Sequence, residues 1–128
     1  MSVMPMILPA LTLVAANAPI EGRWTNPGGS VTIAIASCGA ALCGTVVAAS
    51  DGAKADAARG GTANLIGAQL LTGFTAIGPT RWKGRLFVPD INKRPRATLQ
   101  LTSPRQLKVS GCMVGRVVCR SQMWTRAD

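Results

Sequence analysis

The sequence predicts an all-β fold, a small antiparallel up-and-down β-barrel of about eight strands. From Pro19 onward, apolar and polar residues alternate with a period of two, which is typical of half-buried strands. Gly, Pro, Asn and Asp interrupt this alternation at short intervals, so many short strands are joined by tight turns. An antiparallel sandwich would also fit this pattern. A closed barrel is favoured because eight strands suffice to close it and closure leaves no exposed strand edge.

The predicted strands follow one another without an internal repeat or a linker. They cover residues 20–25, 30–37, 44–50, 70–74, 81–88, 96–101, 106–112 and 119–126. The clearest is 81–88, where basic residues occupy one face and apolar residues the other. The weakest signal lies in the Ala- and Gly-rich stretch 51–67, within which residues 53–59 are compatible with a short helix.

The first 18 residues have the composition of a signal peptide. They carry no charged side chain and end in Ala16-Asn17-Ala18, the small-x-small pattern of a cleavage site. Their apolar run is too short for a membrane span, which needs about 20 residues. We therefore expect a signal peptide over 1–18, removed after Ala16 or Ala18, and one periplasmic or secreted domain over 19–128. A buried N-terminal strand is the alternative interpretation.

Four cysteines in an exported chain indicate disulfides, whereas the same count in the cytosol would indicate metal or redox chemistry. Each pair can face its partner across a hairpin with a two-residue turn, Ala40-Ala41 in the first and Gly115-Arg116 in the second. Facing residues of antiparallel strands lie about 4.5–5.5 Å apart at Cα, within the range of a disulfide. The predicted bridges are Cys38–Cys43 and Cys112–Cys119, at opposite ends of the barrel.

The titratable residues offer little for catalysis, since the chain has no His. Its acids are Glu21, Asp51, Asp56, Asp90 and Asp128. Among them Asp90 alone is suitably placed for catalysis, and its surroundings are typical of a turn. The cysteine spacings do not match the C-x₂-C pattern of zinc sites. We therefore expect no enzyme, no metal and no cofactor.

Lys and Arg outnumber Asp and Glu by 14 to 5, and the excess is concentrated in the second half of the chain. The predicted basic outer face consists of Arg81, Lys83, Arg85, Lys93, Arg94 and Arg96. Such a face attracts polyanions, which for an exported protein are anionic lipids and polysaccharides. Nucleic acid is not expected, because aromatic stacking residues are missing from this face. A merely solubilising surface is the other interpretation.

Four stretches resemble a family of small secreted bacterial proteins catalogued as domain of unknown function 2147. They are "IEGRW", "CGAALCGTVV", "RWKGRLFVPD" and "LKVSGCMVGRVVCRSQMWTR", and the resemblance covers about residues 20–126. The stretch "SDGAKADAARGGTANLIG" departs from it, since relatives carry an acidic Asn-Pro segment there. The resemblance implies a lipocalin-like calycin barrel. Gly22-x-Trp24 matches the lipocalin G-x-W signature, and Arg126 occupies the place of an Arg that packs across that Trp. The family resemblance implies no particular activity.

The first functional hypothesis is a barrel that binds an apolar or amphiphilic small molecule in its interior. The candidate lining residues are Trp24, Ile33, Ile35, Val47, Phe74, Trp82, Leu86, Leu99, Leu107 and Met123. These side chains would otherwise fill a dry core. Trp124 shares its strand face with Arg120 and Gln122, so either the last strand turns polar groups inward or a bulge shifts its register.

The second hypothesis is a structural or interaction module of the envelope. Its basic outer face and the apolar hairpin tip at residues 113–118 would contact an anionic membrane, a polysaccharide or a protein partner. The tip residues would otherwise stabilise their own hairpin by cross-strand pairing.

Overall fold

A closed eight-stranded antiparallel barrel carries one short helix, in a computed structural model that describes residues 19–113 and 118–128. The elements are β1 (Gly22–Thr25), β2 (Val31–Cys38), β3 (Ala41–Ala49), α1 (Asp51–Arg59), β4 (Gln69–Gly78), β5 (Arg81–Leu86), β6 (Arg96–Ser103), β7 (Gln106–Met113) and β8 (Val118–Arg126). Each strand pairs with its neighbours in the chain, and β1 pairs with β8 to close the barrel. The predicted barrel is confirmed. The expected signal peptide and the tip of the last hairpin lie outside the described residues.

Most strands differ in length from their prediction, by one to five residues, and β4 and β5 are two examples. β4 extends to Gly78 because small residues that carry little sequence signal still pair with β5, for example Ala76 with Trp82. β5 ends at Leu86 rather than at residue 88. The Leu86 N–H donates to the Pro95 carbonyl at 2.9 Å, but proline has no N–H with which to continue the ladder.

The connection between β5 and β6 forms its own small turn. Val88 and Lys93 make an isolated antiparallel bridge, and Asn92 turns the chain with φ +52°. Asn tolerates this left-handed conformation better than most residues. The turn expected around Asp90 is therefore present.

Helix α1 begins two residues before the predicted stretch. The Ser50 side chain caps it by accepting the Ala53 N–H at 3.1 Å. Asp51 in the first turn and Arg59 in the last complement the helix dipole. The helix buries Ala57 fully, which fixes it to the barrel at one end. Among the described residues, no helix is long and apolar enough to span a membrane.

Both predicted disulfides are present, but the first hairpin turns one residue earlier than predicted. Its turn is Gly39-Ala40, because Gly39 supplies the positive φ (+68°) that such a turn needs at its first position. Cys38 therefore pairs with Ala41, and Cys43 lies diagonally across the ladder, with a Cα–Cα distance of 5.6 Å.

The second disulfide joins directly facing residues, as predicted. Cys112 and Cys119 are register partners on β7 and β8, with a Cα–Cα distance of 4.0 Å. The turn expected at Gly115-Arg116 lies outside the described residues. Since successive connections alternate between the ends of an up-and-down barrel, the two disulfides lie at opposite ends.

One end of the barrel is closed by packing around Trp24, which is fully buried. Its indole Nε1 donates to the Ile20 carbonyl at 2.9 Å, and the Arg126 guanidinium stacks on its ring. The Arg126 side chain also donates to the carbonyl oxygens of Pro19, Glu21 and Pro104. The contact between Arg126 and Trp24 that the family resemblance implies is therefore present.

Candidate ligand cavity

A cavity of about 620 Å³ opens at the other end of the barrel. Its rim is formed by the β1–β2 turn, helix α1 and the β5–β6 connection, which all lie at this end. Small-molecule pockets in proteins have volumes of about 300–1,000 Å³. The cavity is thus large enough for a small organic molecule.

The walls of the cavity are mainly apolar. They include Val31, Leu65, Leu70, Leu86, Phe87 and Val109. These residues lie where even-numbered strands begin or odd-numbered strands end, or in the adjoining connections. The same up-and-down order that closes the barrel therefore brings them together.

Strand β8 contributes polar side chains to the cavity. It pairs with β7 continuously from Gln106↔Thr125 to Met113↔Val118, so the register contains no bulge. Arg120, Gln122 and Trp124 consequently face inward, and all of them line the cavity. Of the two arrangements left open by the sequence, the structure shows the one in which polar groups turn inward.

Trp124 is the buried end of this series, with 7 % of its surface exposed. Its indole Nε1 donates to Oε1 of Gln122, at 3.2 Å. The hydrogen bond satisfies the indole donor and orients the amide of Gln122.

Space beside Arg120 comes from a glycine. Gly111 is the register partner of Arg120 on β7, and it also lines the cavity. A Cβ at this position would meet Leu86 Cδ2 at 3.5 Å, which is ordinary contact, so the position tolerates a side chain. A large side chain here would project into the cavity.

The rim is held together by contacts between α1 and the β5–β6 connection. Gly60 ends the helix so close to the backbone of Pro89 and Asp90 that a Cβ would clash with both residues. The Thr62 hydroxyl donates to the Pro89 carbonyl at 3.2 Å. Helix α1 is therefore fixed beside the cavity.

Most of the predicted lining residues instead fill the core, as the alternative interpretation had it. Trp24, Ile33, Ile35, Phe74, Trp82, Leu99 and Leu107 are buried and do not line the cavity. Of the ten candidates, all of which the structure describes, Leu86 alone lines it. Apolarity identified the inward face correctly at these positions, but it did not separate the filled half of the barrel from the open half.

Two candidates face outward, and their predicted inward orientation is wrong. Val47 is 39 % exposed because Val46 is the residue that pairs with Ile33 in the core. The register shift at this point leaves Val47 as an extra, bulged residue. Met123 is 38 % exposed because the continuous β8 register turns Trp124 inward instead.

The residues of the predicted basic face are exposed, although not all of them lie on strands. Arg81, Lys83 and Arg85 lie on β5 and Arg96 lies on β6. Lys93 and Arg94 precede β6 in the connection. There the Arg94 guanidinium stacks on the ring of Phe87, 4.3 Å from its centroid.

Sequence reasoning missed several cavity residues. Leu65, Leu70, Phe87 and Val109 were not among the candidates, and Arg120, Gln122 and Trp124 were left without an orientation. Val109 shares its strand face with the predicted Leu107, so alternation alone would have found it. For the others the available signal was their position along the strands. In an up-and-down barrel, odd-numbered strands end and even-numbered strands begin at the same end of the barrel, so residues at those positions lie close together.

The model of the family DUF2147, described as uncharacterized protein conserved in bacteria, matches residues 22–126. The chain is also similar in structure to protein HP1028 from Helicobacter pylori, which is described as belonging to the lipocalin family. That likeness has a TM-score of 0.65 and 12 % sequence identity, and it covers 85 % of this chain and 83 % of the other. It shows a shared fold. No curated protein matches the sequence.

Proposed function

This chain belongs to DUF2147, a family of uncharacterised bacterial proteins, and we propose that it is an exported barrel that binds an apolar or amphiphilic small molecule. The observation that carries the proposal is the cavity of about 620 Å³ at the open end of the barrel. Its apolar walls face a single strand, β8, that supplies inward polar groups.

The composition of the cavity supports an apolar or amphiphilic ligand over a polar one. Burying apolar surface stabilises a complex by roughly 25 cal/mol per Å². The side chains of Leu65, Leu70, Leu86 and Phe87 offer such surface to a ligand. The few polar groups would orient the ligand, as in most small-molecule sites.

The fold supports binding rather than catalysis. A lipocalin-like barrel holds its ligand inside a rigid sheet, although a fold alone does not fix a function. Export is supported by the two disulfides, which are typical of oxidising compartments, and by the signal-like composition of residues 1–18. We place the protein in the periplasm or outside the cell.

Fluorescence of N-phenyl-1-naphthylamine, a neutral apolar probe, tests the proposal. The wild-type protein is expected to bind one probe per chain, with enhanced emission. Gly111→Phe fills the cavity and should abolish saturable binding, whereas Val47→Phe adds the same ring outside the barrel and should not. Equal binding by both variants, or absence of saturable binding by the wild type, would contradict the proposal.

A second candidate function is contact with an anionic surface through the basic outer face. The observation that favours it is the direct pairing of Arg85 with Arg96, two exposed like charges on neighbouring strands. Such a pair destabilises a sheet unless something else uses the charge. The Arg85 guanidinium reaches the Arg94 carbonyl at 3.3 Å, which relieves only part of this repulsion.

Sedimentation with vesicles tests this second candidate. Binding to phosphatidylglycerol vesicles, but not to phosphatidylcholine vesicles, is expected at low salt. It should disappear at about 0.5 M salt, where charges are screened within a few ångströms. The double variant Arg85→Gln/Arg96→Gln should lose it. Binding that persists in this variant would assign the contact to another surface.

A further inference from the structure

The inward face of β8 becomes more polar and more exposed toward the mouth of the cavity. Trp124 is buried, while Gln122 and Arg120 are exposed and line the cavity. The three side chains follow one another at alternate positions of one strand. A ligand that enters between β8 and the apolar walls would therefore meet the charge of Arg120 first and the indole of Trp124 last.

Arg120 is the cation of this cavity, and none of the acids in the described part of the chain forms an ion pair with it. Within residues 19–113 and 118–128, it is the only Lys or Arg that lines the cavity, and its guanidinium makes no ion pair or hydrogen bond. The acids at the rim are Asp56 and Asp90. Asp56 is paired with Arg59 on α1. Asp90 approaches Gly60 with its backbone, and its exposed side chain stays at the rim as a negative charge.

We propose that Arg120 binds the anionic head of a single-chain amphiphile whose apolar tail occupies the cavity toward Trp124. This inference rests on the proposed binding function and specifies the class of ligand. Arg presents planar N–H groups that match the oxygens of a carboxylate, sulfate or phosphate in a bidentate manner. The Gln122 amide, held by its hydrogen bond from the Trp124 indole, lies between head and tail.

Gly111 leaves room for the head group. It faces Arg120 across the β7–β8 ladder, has no side chain, and lines the cavity together with Arg120. A larger residue at this position would occupy the place of the head group. The pairing of Gly111 with the inward-facing Arg120 therefore fits a site for an anionic head group.

The surroundings of the mouth also favour an anion. Arg85, Lys93, Arg94 and Arg96 lie at the end of β5, in the β5–β6 connection and at the start of β6, which is the open end. All four are exposed. Their charges attract anions over a distance of about one Debye length, ~8–10 Å at physiological salt. They would raise the local concentration of an anionic amphiphile without contacting it in the cavity.

Calorimetric titration with three probes of equal chain length tests the proposal: dodecanoate, dodecanol and dodecyltrimethylammonium. The wild type should bind dodecanoate about tenfold or more tightly than dodecanol, since charge-assisted hydrogen bonds are roughly twice as strong as neutral ones. Arg120→Gln should lower dodecanoate affinity by about the same factor and leave dodecanol affinity unchanged. The matched control is Lys108→Gln, which removes a charge from the outer face of β7 and should change neither affinity.

The dodecanol titration separates the two proposals. If no probe binds, the proposed function and this inference both fail. If dodecanol and dodecanoate bind equally and Arg120→Gln changes neither, the cavity binds apolar chains and the role of Arg120 is overturned. Tighter binding of dodecyltrimethylammonium would overturn it as well. Retained dodecanol binding by Arg120→Gln shows that this variant is folded.

Discussion

The guanidinium carbon of Arg126 lies 4.3 Å from the centroid of the Trp24 ring, which joins the last strand to the first. β1 has four residues and pairs with β8 at two positions, so backbone hydrogen bonds alone hold this seam weakly. The stacking and the hydrogen bonds of Arg126 to the Pro19 and Glu21 carbonyls reinforce it. A third hydrogen bond, to the Pro104 carbonyl, links Arg126 to the β6–β7 turn. At the closed end of the barrel, Arg126 thus contacts the residues before β1, the ring of Trp24 and the β6–β7 turn.

Replacing Arg126 should destabilise the fold strongly. We expect Arg126→Ala to lower the free energy of unfolding by about 2–4 kcal/mol, because charged hydrogen bonds and a cation–π contact are lost together. Arg126→Lys should recover only a small part, since one ammonium group cannot replace the planar fork. Urea denaturation measures both. Arg81→Ala, on the exposed outer face, serves as the control, and an equal loss in that variant would refute the assignment.

Each disulfide should stabilise the protein by restricting its unfolded chain. Cys112→Ser/Cys119→Ser and Cys38→Ser/Cys43→Ser are each expected to lower the free energy of unfolding by about 2–2.5 kcal/mol, the value for such short loops. Thermal or urea denaturation of the two double variants measures it. Loss of Cys112–Cys119 should also weaken probe binding, because this bridge lies at the open end. The Cys38–Cys43 variant, altered at the closed end, is the internal comparison.

Gly60→Ala should separate α1 from the β5–β6 connection. The added Cβ would clash with the backbone of Pro89 and Asp90, and such overpacking costs about 1–3 kcal/mol. Gly28→Ala in the β1–β2 turn is the matched control, because its Cβ would have no neighbour within 4 Å. Limited proteolysis should cut the rim faster in Gly60→Ala alone. Equal cutting of the two variants would mean that this contact does not hold the rim.

The pKa of Asp128 gives an acid dependence at the closed end. The Arg23 N–H donates to its carboxylate at 3.1 Å and the Arg126 charge lies nearby, so its pKa is held below the usual 3.8. A carboxyl group whose pKa is lower in the folded than in the unfolded protein stabilises the fold at pH values above its unfolded-state pKa. This stabilisation is lost as the pH falls through its folded-state pKa. Asp128→Asn should therefore have a lower free energy of unfolding than the wild type at neutral pH. On acidification below about pH 4, this free energy should fall less in the variant than in the wild type. Parallel acid limbs of stability against pH in the two proteins would contradict this.

The barrel could be predicted from the sequence because its signals are local. Alternation, turn residues and the cysteine spacings each depend on a few neighbouring positions. The turn predicted at Ala40-Ala41 but found at Gly39-Ala40, and the bulge at Val47, show the limit of this reasoning. At the bulge, two adjacent valines fit either face of the strand. Pairing with Ile33 decides between them, and that contact is not local.

The cavity was harder to predict because it depends on where apolar residues stop filling the interior. Leu107 and Val109 share one face of one strand, yet the first is core and the second lines the cavity. Position along the strand distinguishes them. The sequence shows that Arg120 and Gln122 lie on the same face of β8 as Trp124. That this face points inward follows only from the continuous register of β8 in the structure.

Nuclear magnetic resonance of the tryptophan indoles tests the central claim most directly. The chain has three Trp residues: Trp24 and Trp82 are core residues outside the cavity, and Trp124 lines it. On titration of ¹⁵N-labelled protein with dodecanoate, we predict that the Trp124 indole resonance shifts and saturates while those of Trp24 and Trp82 stay in place. Saturable binding that leaves the Trp124 resonance unmoved would place the ligand elsewhere and contradict the account.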